Sequence, residues 1–276
     1  LPSVETRGAS IVYDDTGDET GRRPVVVLVH SVGLSTREGW RGQVPVLARN
    51  YRVITYDIRG LGESSCGDAP MGVETFTEDL IALLDHLGID KIILMGVSLG
   101  SFIGQAFACA HGNRLTALAL VSTACRIKGG NSGVRAARNT AIREHGMKIA
   151  AGPQIDSHFP DDFRAANSGL MDWYRTHYIN NDPDAYIAIM EDLGRFDYCD
   201  RLAGIACPTL IIAGGEDASS VAGTKPGESA RLVAAKIPGA RLEIIKGAHH
   251  YPQIDHEAVF NAVMLDFFKT VTQEKP

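Results

Sequence analysis

Three side chains far apart in the chain have the types needed to attack a carbonyl: Ser98, Asp217 and His250. A serine hydroxyl is a poor nucleophile at neutral pH. It needs a base within hydrogen-bond reach and a third group to orient that base. Ser98 lies in Gly96-Val97-Ser98-Leu99-Gly100, a G-x-S-x-G pattern that follows the apolar run 92–95 and precedes Phe102, Ile103, Ala106, Phe107 and Ala110 at helical spacing. Strand, tight turn and helix are expected in that order, with the hydroxyl at the tip of the turn and the helix N–H groups aimed at the same place. Negative charge developing there would be stabilised.

Asp217 ends Ala213-Gly214-Gly215-Glu216-Asp217, after the apolar run 209–213. His250 lies in Gly247-Ala248-His249-His250-Tyr251-Pro252, after the run 241–245. Glu216 and His249 compete for the same two roles. The place two residues before Pro252 favours His250, and the shorter side chain favours Asp217. The expected oxyanion donors are backbone N–H groups of Val32, in the loop after an early strand, and of Leu99, which follows the nucleophile.

The elements that must carry these residues are legible as periodicity. Runs at 25–29, ending in His30-Ser31-Val32-Gly33, and at 51–56, ending in Asp57, read as buried strands. The spacing predicts a helix over 75–87, with Thr75 as N-cap and Gly88 past its end. Further strands are expected at 92–97, 115–121, 209–213 and 241–245, separated by helical stretches. That alternation implies a mostly parallel sheet flanked by helices. It stops between Arg126 and about Ala206, where helical pieces at 134–145, 161–178 and 183–193 are punctuated by Gly129-Gly130, Gly152-Pro153 and Asp182-Pro183. The expected organisation is a core in two parts, 1–125 and 207–276, with a helical lid over 126–206 inserted between sheet strands.

Composition narrows the class. The chain has 276 residues, 45% hydrophobic and 22% charged, values typical of a soluble globular protein. A net charge of −6 gives no electrostatic reason to bind nucleic acid or an anionic membrane. Five widely spaced cysteines without a C-x-x-C pair predict reduced thiols and no zinc site. His86, His111, His145, His158, His177 and His256 are scattered, with no H-x-x-x-H pair, and most read as solvated, so neither a metal nor a cofactor is expected. The first residues lack a signal-peptide pattern and no apolar run reaches membrane-spanning length, which predicts a cytoplasmic protein. The expected partner is a small molecule, and nothing in the sequence assigns an oligomeric state.

Secondary roles follow. His30 reads as a structural group holding the oxyanion loop, and Asp57 with Arg59 as a pair organising a glycine-rich turn. Candidate substrate contacts are Trp40, whose helical spacing also suits packing, Trp173 among the lid aromatics, and Tyr251 beside His250. Arg126, with Lys128, Arg135 and Arg195, offers charge to an anionic substrate or simply a solvated face.

Over residues 7–268 the chain resembles the α/β-hydrolase superfamily, and within it is most similar to 3-oxoadipate enol-lactonases. The resemblance is carried by His30-Ser31-Val32-Gly33, Tyr56-Asp57-Ile58-Arg59-Gly60-Leu61-Gly62-Glu63-Ser64, the G-x-S-x-G segment, and Ser122-Thr123-Ala124-Cys125-Arg126-Ile127. It implies an α/β-hydrolase fold and a cofactor-independent serine esterase or lactonase, an enol-lactone of aromatic catabolism being one candidate substrate. The order serine, acid, histidine along the chain is the one found in that superfamily. Three departures stand out: Ser31 where glycine is usual, His249 in place of a glycine before the histidine, and a longer segment 218–228. The alternatives keep the triad and change the bond to carbon–carbon, amide or perhydrolysis, or keep the scaffold as a slow-turnover ligand receptor.

Overall fold

A computed structural model describes residues 1–18, 20–34, 36–127, 132–219 and 225–273. Lys128, Gly129 and Gly130, and residues 220–224 of the long segment, lie outside the described residues.

Eight strands form one sheet: β1 (Ser3–Thr6), β2 (Ala9–Asp15), β3 (Val25–Val29), β4 (Arg52–Tyr56), β5 (Ile92–Val97), β6 (Leu115–Val121), β7 (Thr209–Gly214) and β8 (Arg241–Ile245). Their spatial order is β1-β2-β4-β3-β5-β6-β7-β8. The β1–β2 and β2–β4 pairings are antiparallel, and the five from β4–β3 to β7–β8 are parallel. The antiparallel edge at 3–15 is absent from the periodicity reading, because its short strands mix polar and apolar residues; β1 pairs with β2, and only residues 13–15 of β2 join it to β4.

Strand residues alternate between two core clusters, as a period of two requires. Val27, Val29, Ile92, Leu94, Leu118 and Leu120 face one cluster, and Val26, Leu28, Ile93, Met95, Ala119 and Val121 face the other. Helices cover both faces. The short α1 (Val44–Leu47) precedes β4, α2 (Val73–His86) precedes β5, and α3 (Leu99–His111) follows it. Phe76, Leu80, Leu83 and Leu84 of α2 pack with Phe102, Ile103 and Phe107 of α3 in the first cluster. The first turn of α2 begins at Val73 with Gly72 at its cap, so Thr75 is inside the helix and not its N-cap.

Between β6 and β7 lie α4 (Ser132–His145), α5 (Lys148–His158), α6 (Asp161–Ala166), α7 (Ser168–Ile179) and α8 (Pro183–Leu193). The expected helix 161–178 is thus two helices, and Gly152-Pro153 falls inside α5 instead of breaking it. Ala151 and Ile155 of α5 are buried, one in each core cluster, and that packing outweighs the cost of an interior proline. After β7 come α9 (Glu228–Lys236), the short α10 (Pro252–Asp255) and α11 (Glu257–Gln273), whose Phe260, Met264, Phe267 and Phe268 close the second cluster.

The cysteine expectation is corrected here. Cys125, just after β6, and Cys199, after α8 in the segment that leads to β7, form a disulfide, while Cys66, Cys109 and Cys207 are free. Two cysteines 74 positions apart leave no local pattern, and only the return of the chain past the C-terminal end of β6, where the Tyr198 N–H donates to the Cys125 carbonyl, brings them together. No helix among the described residues is long and apolar enough to cross a membrane.

Candidate active site

Ser98 sits between β5 and α3 with φ 52° and ψ −112°, a left-handed backbone that a non-glycine residue adopts only under constraint. The constraint is close packing around the turn. A Cβ on Gly96 would lie 2.1 Å from the Gly100 carbonyl oxygen, and one on Gly100 would lie 2.3 Å from the Val29 carbonyl oxygen. Leu99 opens α3, so its N–H belongs to the helix's first turn, whose N–H groups have no intrahelical acceptor.

Asp217 and His250 meet from the loops after β7 and β8. His250 Nδ1 lies 2.9 Å from Asp217 Oδ2, and both side chains are buried, at 1% and 2% exposure. Ser219 completes the pair: its hydroxyl lies 3.0 Å from His250 Nδ1 and its N–H donates to Asp217 Oδ1 at 2.9 Å. Burial alone would raise the Asp217 pKa, but the His250 charge and hydrogen bond, with the hydroxyl and N–H of Ser219, hold the carboxyl well below the usual range. The acid is therefore ionised, and the shared Nδ1 proton leaves Nε2 of the imidazole as the basic atom.

Neither rival group bonds to the Asp217–His250 pair. Glu216 is exposed. His249 donates its N–H to Asp255 Oδ2 at 2.7 Å, and its Nδ1 is buried without a partner. Ser98 and His250 are tied to consecutive residues at the end of β6: the Ser98 N–H donates to the Val121 carbonyl at 2.9 Å, and the Ser122 hydroxyl donates to the His250 carbonyl at 2.7 Å.

The loop after β3, which carries Val32, is braced by His30. His30 Nε2 accepts the Ile58 N–H at 2.9 Å, which leaves the Nδ1 proton to donate to the Ser31 carbonyl, also at 2.9 Å. Burial lowers the His30 pKa and keeps the ring neutral, although Asp57 acts in the opposite sense. Asp57 and Arg59 do not pair with each other. Asp57 accepts the Arg37 N–H at 2.6 Å and pairs with its guanidinium at 2.5 Å, while Arg59 pairs with Asp79 at 2.6 Å, both fully enclosed. Ser31, the departure from glycine, accepts the Leu34 N–H at 2.9 Å and lies 3.0 Å from the Tyr251 hydroxyl. Tyr251 is thereby brought to the site beside Val32.

The other expected contacts fall differently. Trp40 is completely buried in the second core cluster. Trp173 is half-buried under Arg41, 4.3 Å from its ring, and against His177 at 3.9 Å, and packs on the margin of the second core cluster, in which its neighbour Tyr174 is fully buried. Arg126 pairs with Asp197 at 3.7 Å and directs its Nε to Cys199 at 3.1 Å, and Arg195 pairs with Asp192 at 3.6 Å. His158, one of the scattered histidines of which most were expected in solvent, is 7% exposed with its ring against His250. Ser219, Gln154 and His158 are the neighbours of the site that periodicity does not announce; the place of Ser219 two residues after Asp217 was the only available signal. Among the described residues no group of three or more His, Cys, Asp or Glu is arranged to hold a metal ion.

An eight-stranded, mostly parallel sheet that delivers an elbow serine and an acid–imidazole pair from strand C-terminal ends is the architecture of hydrolases. The α/β hydrolase fold family matches residues 24–257, and the chain belongs to it. Among named relatives, 3-oxoadipate enol-lactonase 2 of Acinetobacter baylyi is 28% identical over 249 residues, covering 89% of this chain and 90% of the relative. A Caulobacter protein that carries the name carbamate hydrolase RutD is 27% identical over 260 residues, covering 93% and 95%. The crystal structure of the enol-lactonase from Burkholderia xenovorans LB400 superposes with a TM-score of 0.89 at 29% identity, covering 97% of this chain and all of that one.

Proposed function

We propose that this hydrolase cleaves a small ester or lactone through an acyl-enzyme on Ser98. The observation that carries the reading is the buried Asp217–His250 pair, 2.9 Å apart, anchored through Ser122 beside the elbow serine. In this reading His250 Nε2 takes the Ser98 proton as Oγ attacks the carbonyl, and Asp217 holds the imidazole in the required tautomer and faces the charge that forms. The N–H groups of Val32 and Leu99 receive the oxyanion; loss of one such donor typically costs about 3 kcal/mol of transition-state stabilisation. The imidazolium then returns its proton to the leaving oxygen. Water, deprotonated by the same nitrogen, releases the acid and regenerates the serine. Residues 126–206 act as the lid that shapes the acyl pocket.

The relatives named enol-lactonase and the fold match to one support a lactone, and the one named for a carbamate supports an acyl carbon bearing nitrogen. The test joins labelling to selectivity. A fluorophosphonate should modify Ser98, as mapped by peptide mass spectrometry. Ser98→Ala should lose roughly four or more orders of magnitude in kcat on an activated aryl ester, with its circular dichroism unchanged. Label on another residue, or turnover retained in Ser98→Ala, sinks the proposal. A panel of enol-lactones, short esters and carbamates ranks the substrate class by kcat/KM. A single burst followed by near-zero turnover on every member would instead identify a receptor.

A further inference from the structure

His158 takes no part in the steps above, yet it is in closer contact with His250 than a lid residue needs to be. It ends α5, its ring centroid lies 4.2 Å from that of His250 at an interplanar angle of 31°, and its carbonyl accepts the His250 N–H at 3.3 Å. The same ring meets Tyr251 edge-on at 5.1 Å. One turn earlier on α5, Gln154 Nε2 lies 2.8 Å from His158 Nδ1. A Cβ on Gly33 would fall 2.4 Å from the Tyr251 hydroxyl and 3.0 Å from Gln154 Nε2, so both groups rest on the oxyanion loop. A polar chain thus runs from α5 through Tyr251 to Ser31, next to Val32.

The titratable groups facing His158 are His249, His250 and Tyr251 from the loop after β8 and Asp217 from the loop after β7; Gln154 on its own helix is neutral. Burial is the main reason the His158 ring stays uncharged well below the ordinary histidine range; His250 and His249 act in the same sense, and Asp217 opposes them. A neutral imidazole face tolerates an imidazolium against it. Two imidazoliums at this separation, shielded from water, repel strongly.

We propose that His158 is a positioning residue for His250: its ring and carbonyl hold the imidazole in place, and α5 stays seated only while the two rings share at most one positive charge. The role rests on the assignment of His250 as the base. It follows that acid inactivates in two steps. One proton on His250 stops catalysis, and a second, on His158, separates the rings and lifts α5 from the oxyanion loop.

The test follows kcat and KM for a neutral activated aryl ester at falling pH, counting only pH values at which circular dichroism shows the fold intact. His158→Ala should lower kcat about tenfold with KM within about twofold of the parent. His158→Phe, which keeps a ring but takes no proton, should recover kcat to within about threefold and lose acid activity with one-proton steepness, where the parent is steeper. An unchanged kcat in His158→Ala, or a His158→Phe profile that superposes on the parent, overturns the proposal. Imidazole NMR on Ser98→Ala protein separates this from the hydrolase reading, because it needs no turnover. The ring signals of His250 should titrate in two steps with His158 present and in one after His158→Phe. One step in both proteins overturns the positioning role alone, whereas turnover by Ser98→Ala overturns the assignment beneath it.

Discussion

At Ser98 the backbone is held at φ 52°, a conformation that costs on the order of 1–3 kcal/mol and is sustained by the sheet behind it and α3 in front. Strain of this kind fixes the backbone that carries the hydroxyl. Ser219 does the comparable work for the imidazole. Its hydroxyl and N–H both meet the Asp217–His250 pair, so in the proposed reaction Ser219 would position the imidazole. Removing that hydroxyl deletes one neutral hydrogen bond, worth about 0.5–1.5 kcal/mol. Ser219→Ala should therefore lower kcat by about two- to tenfold with KM nearly unchanged, and Ser219→Thr should restore most of the loss. Steady-state kinetics on one aryl ester checks this; a change confined to KM would show that Ser219 acts on substrate binding instead.

The helical insertion is anchored where it leaves and rejoins the sheet. Cys125 is bonded to Cys199, the Tyr198 N–H donates to the Cys125 carbonyl at 2.7 Å, and the Ile127 N–H donates to the Phe196 carbonyl at 3.2 Å. Arg126 and Asp197 add a bridge in the same short antiparallel contact. A covalent link closing a loop this long stabilises mainly by restricting the unfolded chain, typically by about 2–4 kcal/mol. Denatured protein kept from reductant should titrate three thiols, rising to five after reduction, because Cys66, Cys109 and Cys207 are the free ones. Five thiols without reductant would mean that Cys125 and Cys199 stay reduced in the isolated protein. If the bond is present, the paired replacement Cys125→Ser with Cys199→Ser should lower the melting temperature and leave the labelling of Ser98 intact.

For the whole molecule, the buried imidazoles set the acid limit of stability. His30 and His158 both have pKa values lowered from 6.5, chiefly by burial. Above 6.5 the folded and unfolded chains alike hold these rings neutral, so the full stability is present. As the pH falls below 6.5 the unfolded chain takes up protons that the folded chain refuses, and stability declines until the folded values are reached. Asp217, whose pKa is lowered from 3.8, adds stability that is present above that value and is lost as the pH falls through the folded one. The melting temperature should hold level above about pH 7, begin to fall near 6.5 and fall further below about 4. Scanning calorimetry across that range checks the shape. His158→Phe should weaken the first decline, and a curve identical to the parent's would rule out His158 as one of its sources.

Strands β3 to β8, the elbow at Ser98 and most of the helices were written into local pattern. Apolar period, glycine placement and the serine's neighbours act within a few residues of one another. The edge hairpin β1–β2 and the continuity of α5 through Pro153 were not, because both are decided by what packs against them. Tertiary structure alone exchanged the expected Asp57–Arg59 pair for Arg37–Asp57 and Arg59–Asp79, joined Cys125 to Cys199, and laid His158 on His250. Each of those contacts depends on the distance between segments remote in the chain, which hydrophobic periodicity does not encode and the closing of the sheet does.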